Sequence, residues 1–149
     1  MINTTILRKY VTEHFQHVPD HDFKFNIVCR PAKQFAFSEI TQCATRYCTN
    51  ECGTVGCACG WLPLMFPQVT RNLEFDELMY QGTPWSYDVL AAHLLDLPHH
   101  ITERLFTPNC QQELHKDLPT CTSFATVKQV SDMLIHFCDL ADVGKIKLP

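Results

Sequence analysis

The sequence predicts a mainly α-helical protein, a single compact helical domain over residues 1–149 with a short extended segment or small sheet as a minor addition. Three observations indicate this fold class. Apolar residues recur at three- and four-residue steps in several segments, proline and glycine separate those segments, and strict apolar–polar alternation is confined to one short stretch. Hydrophobic residues at 46% and charged residues at 19% are typical of a globular chain, and 149 residues suit one core.

The first predicted helix begins at Asn3, Thr4 or Thr5, whose side chains are candidate caps, and ends before Pro19. Its apolar stripe consists of Ile6, Leu7, Tyr10, Val11 and Phe15. Apolar and polar residues alternate over residues 23–27, which predicts a short extended segment. A second helix is predicted after Pro31, with Ala36, Ile40, Cys43 and Tyr47 on one side.

The central part of the chain contains two predicted helix starts. Thr54 is a candidate cap for a helix that Pro63 kinks or ends early, because proline disfavours helical geometry at the residue before it. That helix carries Val55, Ala58, Leu62 and Met65. Thr83-Pro84 predicts the start of the next helix, which ends at Pro98. Its expected buried face is Trp85, Val89, Ala92 or His93, and Leu94.

The C-terminal part is predicted to hold two further helices. A short one contains Ile101, Leu105 and Phe106 and ends before Pro108, where a loop begins. The last helix is predicted to start at Thr122 or Ser123 and to stop at Gly144. Its expected inner face is Phe124, Val127, Val130, Leu134, Phe137 and Ala141.

Charge and hydropathy exclude several functional classes. A formal charge of −4 without any basic run argues against nucleic-acid binding, which depends on clustered Lys and Arg. The longest uncharged apolar stretch, residues 55–67, contains Gly60 and Pro63 and falls short of the roughly 20 residues that span a bilayer. The N-terminus lacks an apolar segment of secretory length. We therefore expect a cytoplasmic protein without membrane partners and with reduced thiols.

Nine cysteines invite a comparison of metal binding with packing. Cys48, Cys52, Cys57 and Cys59 form a candidate ligand set for zinc or an iron–sulfur cluster. Their region has no C-x2-C pair, so we favour buried packing and expect no cofactor. The late-loop residues Cys110, His115 and Cys121, with His99 or His100 nearby, are a second and weaker ligand set.

A thiol enzyme is a further alternative. Cys57 would lie in the first helical turn if Thr54 caps it, and a helix N-terminus stabilises thiolate, so Cys52 or Cys57 is a candidate nucleophile of a hydrolase. The candidate bases are His93, His115 and His136. Structural roles explain the same residues: a permissive Gly53, a capping Thr54 and cysteines that pack.

The stretch Cys52-Gly-Thr-Val-Gly-Cys57-Ala-Cys-Gly60-Trp61 resembles the C-G-T-x-x-C-x-x-G-W motif of a family of small uncharacterised bacteriophage and bacterial proteins. The order of segments from about residue 23 to 144 is similar to that of the family. The resemblance implies a phage or mobile-element context, with host cytoplasm as the location. It carries no established activity.

These observations together favour a non-enzymatic accessory protein that binds a host or viral protein, such as a host defence factor, with homodimerisation left open. The expected binding surface lies within residues 71–85, where aromatic and methionine side chains surround acidic ones. Its residues are Glu74, Phe75, Asp76, Glu77, Met79, Tyr80 and Trp85. The alternative is that these apolar side chains complete the core.

Overall fold

The computed structural model describes residues 1–20, 58–72 and 77–146. These ranges contain four α-helices, three β-strands and short 3₁₀ turns at Phe15–His17, Leu62–Leu64 and Gln111–Glu113. The helices and strands are α1 (Thr5–Glu13), β1 (Thr70–Asn72), β2 (Glu77–Tyr80), β3 (Thr83–Trp85), α2 (Tyr87–Leu95), α3 (His99–Leu105) and α4 (Val127–Asp142). The strands form an antiparallel sheet in the order β1-β2-β3. The prediction of a mainly α fold with a small sheet is confirmed.

Helices α1 and α4 pack antiparallel, and polar contacts join their ends. Arg8 places one guanidinium nitrogen 2.7 Å from Asp139 Oδ1 and 2.7 Å from Asp142 Oδ2. Thr4 donates its hydroxyl to the other carboxylate oxygen of Asp142 at 2.7 Å. Four residues of the predicted apolar stripe, Leu7, Tyr10, Val11 and, beyond the helix, Phe15, are fully inaccessible to solvent, whereas Ile6 is partly buried.

The N-terminus of α4 is capped by three hydrogen bonds. Two are local to its first turn, and the third comes from Asp20, beyond the end of α1. Thr126 accepts from the backbone N–H of Gln129, whose side chain accepts from the N–H of Thr126, so the two form a capping box. Asp20 accepts from the N–H of Val127 at 2.9 Å. These bonds satisfy N–H groups that have no partner within the helix.

The predicted start of this last helix at Thr122 or Ser123 is wrong. The hydroxyl of Thr122 accepts from the N–H of Phe124, and its carbonyl accepts from the N–H of Ala125, so the chain makes a turn before the helix begins. Phe124 is consequently 89% exposed and does not join the inner face. The other predicted core residues of α4 are buried: Val127, Val130, Leu134, Phe137 and Ala141.

The predicted helix start at Thr83-Pro84 is also wrong, because these residues belong to β3. Proline is tolerated there since β3 is an edge strand of the sheet. Helix α2 begins only after Ser86, which shifts its buried face relative to the prediction. The buried residues are Leu90, Ala91, Leu94 and Leu95, whereas Val89 is 40% exposed.

Helices α2 and α3 form a tight helical hairpin. Asp96 adopts the left-handed conformation at the end of α2, with φ 56°, and Pro98 immediately precedes α3. Thr102 is fully buried between the helices and donates to the backbone carbonyl of Asp88 on α2 at 2.9 Å. The predicted short helix before Pro108 is confirmed, since α3 ends at Leu105.

A buried glutamine secures the loop after α3. The side-chain amide of Gln111 donates to the carbonyls of Leu105 at 3.0 Å and Thr107 at 2.7 Å, and lies 3.3 Å from that of Arg104. Its oxygen accepts from the N–H of Cys121 at 3.0 Å. All these partners are backbone groups, so one side chain joins the end of α3 to the segment that leads into α4.

The extended segment predicted at residues 23–27, the helix predicted after Pro31 and the start of the helix predicted at Thr54 lie outside the described residues. From Ala58 onward the chain forms turns and then the Leu62–Leu64 3₁₀ turn, so no α-helix passes Pro63. None of the helices in the described ranges is long and apolar enough to cross a membrane.

Phe137 and Phe124 provide a test of this core, because the first is buried and the second is exposed. Phe137 is fully buried, so Phe137→Ala should lower the free energy of unfolding by about 3–5 kcal/mol. Phe124→Ala should change it by no more than about 0.5 kcal/mol, because the side chain is already in solvent. Urea unfolding followed by circular dichroism measures both, and equal losses would contradict the position of Phe124.

The contacts of Asp142 predict a pH dependence. Hydrogen bonds from Thr4 and Arg8 hold the pKa of the Asp142 carboxyl below its ordinary value. Its stabilising contribution is therefore complete above the unfolded-state pKa of about 4 and is lost as the pH falls through the lower folded-state pKa. Asp142→Asn should be less stable than the parent at neutral pH, and the two proteins should converge in acid.

Urea midpoints over a series of pH values check this expectation. Asp132→Asn is the matched control, since it also removes one carboxylate from α4. The only ion pair it breaks among the described residues is the exposed one with Lys128, at 2.8 Å. A stability difference between Asp142→Asn and the parent that persists unchanged into acid would show that the carboxylate charge is not what stabilises the helix pair.

Candidate functional site

A two-residue turn between β2 and β3 positions the aromatic side chains of the candidate site. Tyr80 and Thr83 pair across the end of the β2–β3 hairpin, and Gln81 and Gly82 form the turn between them. Both turn residues have positive φ, 54° for Gln81 and 80° for Gly82. Positive φ at both central positions is typical of a type I′ turn, whose twist matches that of the flanking strands.

The strand register places Tyr80 and Trp85 on one face of the sheet. Leu78 pairs with Trp85 and lies two residues from Tyr80, so the three side chains share a face. Leu78 is 1% exposed, whereas Tyr80 and Trp85 are half-buried and pack against the core. The two aromatic residues therefore lie where this face of the sheet meets solvent.

Three rings meet at this margin. The ring centroids of Tyr80 and Trp85 lie 5.7 Å apart in an edge-to-face arrangement. His93, an exposed residue of α2, lies 5.8 Å from Tyr80 and 5.3 Å from Trp85. Aromatic pairs in this distance range attract one another beyond the effect of burial alone.

Hydrogen bonds fix the indole within the cluster. Trp85 Nε1 donates to Thr83 Oγ1 at 3.1 Å, and Thr83 Oγ1 donates to the Tyr80 carbonyl at 3.1 Å. Val89 precedes His93 by one helical turn, so it lies beside His93 on the exposed side of α2. We call Tyr80, Trp85, Val89 and His93 the aromatic patch.

Of the other predicted surface residues, Met79 and Glu77 belong to β2. Met79 is half-buried on the opposite face of β2 from Tyr80 and Trp85, beside a groove of about 550 Å³. Its lining residues are Gln68, Thr70, Met79, Tyr80, Gln81 and Gly82. Glu77 begins β2. Glu74, Phe75 and Asp76 lie outside the described residues.

Comparisons with protein-family models, curated proteins and solved structures find no match to this chain.

The cysteine-rich motif is described only at its C-terminal end. Cys48, Cys52 and Cys57 lie outside the described residues, whereas Cys59 is 1% exposed. The neighbouring residues Ala58, Gly60 and Trp61 are buried as well, and Tyr10 of α1 donates its hydroxyl to the Ala58 carbonyl at 2.6 Å. This end of the motif is a packing element of the core.

The second predicted ligand set, Cys110, His115 and Cys121, is not brought together. Among described residues, one group of three histidine, cysteine or acidic side chains has donor atoms within 4.8 Å of one another, and it consists of Asp88, His99 and Glu103. Burial raises the pKa of the Cys121 thiol to about 11, and burial with the neighbouring Glu113 raises that of Cys110. These thiols remain protonated at neutral pH, which disfavours both ligation and nucleophilic attack.

The candidate bases lie in three different settings. His93 is part of the aromatic patch, and His136 is exposed on α4. His115 accepts from the N–H of Asp117 through Nδ1 at 3.0 Å, which identifies it as part of a local turn. The nucleophiles proposed for them, Cys52 and Cys57, lie outside the described residues.

Sequence analysis missed the Gln81-Gly82 turn and therefore the role of His93. The sequence does contain a hairpin signal, because Gln81-Gly82 is a two-residue pair ending in glycine between Tyr80 and Thr83, which are both good strand formers. The Thr-Pro pair that follows favoured a helix start instead.

Opposite substitutions in the turn test how it holds the patch. Gly82→Ala should lower the free energy of unfolding by about 1 kcal/mol, because an L-residue is strained at φ 80° although the space around Gly82 is open. Gln81→Asn should leave stability equal or higher, since asparagine tolerates positive φ better than glutamine. Urea unfolding followed by tryptophan fluorescence measures both, and a tolerated Gly82→Ala would contradict the turn geometry.

Proposed function

We propose that this chain is a non-enzymatic accessory protein, a single helical domain over residues 1–149, that binds another protein through the aromatic patch. The observation that carries this proposal is the half-exposed ring cluster of Tyr80, Trp85 and His93. Tyrosine and tryptophan are enriched among the residues that contribute most to protein–protein affinity.

The patch is suited to binding because it is already ordered. Association has an entropic cost for every side chain that must be immobilised, and Trp85 is held by Thr83 and by two neighbouring rings before any partner arrives. The half-buried rings also retain apolar area for a partner to cover. Val89, 40% exposed beside His93, extends that area along α2.

The class of partner follows from charge and from the motif. A net charge of −4 without a basic run favours a protein over a nucleic acid. The resemblance of residues 52–61 to a phage and bacterial family supports a host or viral protein as partner, with inhibition of a host defence factor as the biological outcome. Host cytoplasm is the matching location.

The competing hypothesis is a module centred on the cysteine-rich motif, with Cys48, Cys52, Cys57 and Cys59 as zinc or iron–sulfur ligands or with Cys52 or Cys57 as the nucleophile of a thiol hydrolase. It predicts that Cys57→Ala removes metal or turnover. Protein binding through the aromatic patch predicts instead that Cys57→Ala leaves partner binding intact as long as the protein folds.

Site-specific photocrosslinking tests the proposal. A photoreactive phenylalanine analogue at position 85 should crosslink a discrete partner in host cells, and the same analogue at position 124, an exposed phenylalanine on another surface, should not. Adding His93→Glu to the position-85 protein should abolish the crosslink, because a charge then lies within the apolar contact while the exposed position tolerates it.

Two results would reject the aromatic patch as the binding surface. One is an identical set of crosslinks from positions 85 and 124, which would indicate nonspecific contact. The other is a position-85 crosslink that persists with His93→Glu in a protein whose circular dichroism and melting temperature match those of the parent.

A further inference from the structure

We propose that Asp88, His99 and Glu103 form a binding site for a divalent transition-metal ion of the zinc type on the α2–α3 hairpin. Asp88 lies in the first turn of α2, and His99 and Glu103 lie one turn apart on α3. Each offers one donor atom, and the three atoms lie within 4.8 Å of one another. This site shares no residue with the cysteine-rich motif or the aromatic patch.

The framework that carries these donors is fixed by buried contacts. Thr102, buried between the helices, donates to the carbonyl of Asp88 at 2.9 Å and lies 3.0 Å from that of His99. One hydroxyl thus joins the backbones of two of the three proposed ligands. Donors on packed helices are held in place more accurately than donors on loops, which favours metal binding.

The donor set matches the chemistry of zinc. Imidazole nitrogen and carboxylate oxygen are both zinc ligands, and a zinc site with three protein ligands keeps its remaining position open to water. Here the His99 side chain is 51% exposed and that of Asp88 is 14% exposed, so the ion would be bound from one side and reached by solvent from the other. Hard cations such as magnesium prefer sets made only of oxygen donors.

The existing hydrogen bond marks where the ion would bind. His99 Nε2 lies 2.6 Å from Asp88 Oδ2. Two ligand atoms about 2.0–2.1 Å from a tetrahedral zinc are separated by roughly 3.3 Å, so the pair must open by less than about 1 Å. The exposed His99 ring can rotate by that amount. Its Nε2 would then present a lone pair to the ion, with the ring hydrogen on Nδ1.

A residue-specific measurement is needed because nine cysteines offer other places for zinc. The full-length reduced protein is titrated with zinc chloride while histidine-ring resonances are followed by two-dimensional NMR. The ring resonances of His99 should shift in the way expected for zinc bound at Nε2, and the shift should saturate as a single site fills. The ring of His136, an exposed histidine of α4, should stay unchanged.

Two variants complete the test. Glu103→Gln keeps the size and exposure of the side chain but should weaken the zinc affinity measured at His99 by about tenfold or more. His136→Ala should leave that affinity unchanged. A His99 ring that does not respond to zinc, or a response that is equally strong in Glu103→Gln, would overturn the proposal even if zinc binds to cysteines elsewhere, and neither result bears on the aromatic patch.

Discussion

The packing of α1 against α4 is the contact on which the described part of this protein depends. It brings residues from the first and last thirds of the sequence into one core. Arg8 of α1 joins the two helices through ion pairs with Asp139 and Asp142 of α4. The same helix reaches the cysteine-rich motif, because Tyr10 binds the Ala58 carbonyl through its hydroxyl. A residue of α1 thus fixes the position of a segment about fifty residues away in sequence. Loss of α1 would therefore remove packing and hydrogen-bond partners from both α4 and the segment at Ala58.

Different physical constraints govern the core and the candidate surfaces. The core uses apolar burial, whereas the aromatic patch depends on a backbone turn that only a few residue types adopt without strain. The α2–α3 hairpin adds a third constraint, a buried threonine hydroxyl that fixes the relative position of two helices. The aromatic patch and the proposed metal site both include residues of α2, yet they depend on different contacts and can be altered separately.

Periodicity predicted most of the helices within the described ranges, because α1, α3 and α4 bury their apolar stripes against a core. It failed where local hydrogen bonding decided the outcome. Thr122 and Thr126 are both acceptable caps by residue type. The capping box of Thr126 with Gln129 favours Thr126, and Asp20, which is distant in sequence, adds a bond from the N–H of Val127. Thr83-Pro84 reads equally well as a helix start or an edge strand, and pairing with β2 decides between them. Of the candidate site residues, Tyr80 and Trp85 were identified by type. Ala92 or His93 was expected beside Trp85 on the buried face of one helix, whereas Trp85 belongs to β3 and His93 is an exposed residue of α2 that meets its ring.

The buried amide of Gln111 has a consequence for how this protein can diverge. Its hydrogen bonds go to main-chain atoms, namely the carbonyls of Leu105 and Thr107 and the N–H of Cys121. Main-chain atoms are present whatever side chain a position carries, so the neighbouring loop residues can be exchanged without affecting this arrangement. A glutamate at position 111 would bring an uncompensated carboxylate against carbonyl oxygens in a dry interior. In natural variants of this chain, we expect a nearly invariant glutamine, with variation among the exposed loop residues and apolar residues kept at the buried positions 105 and 121.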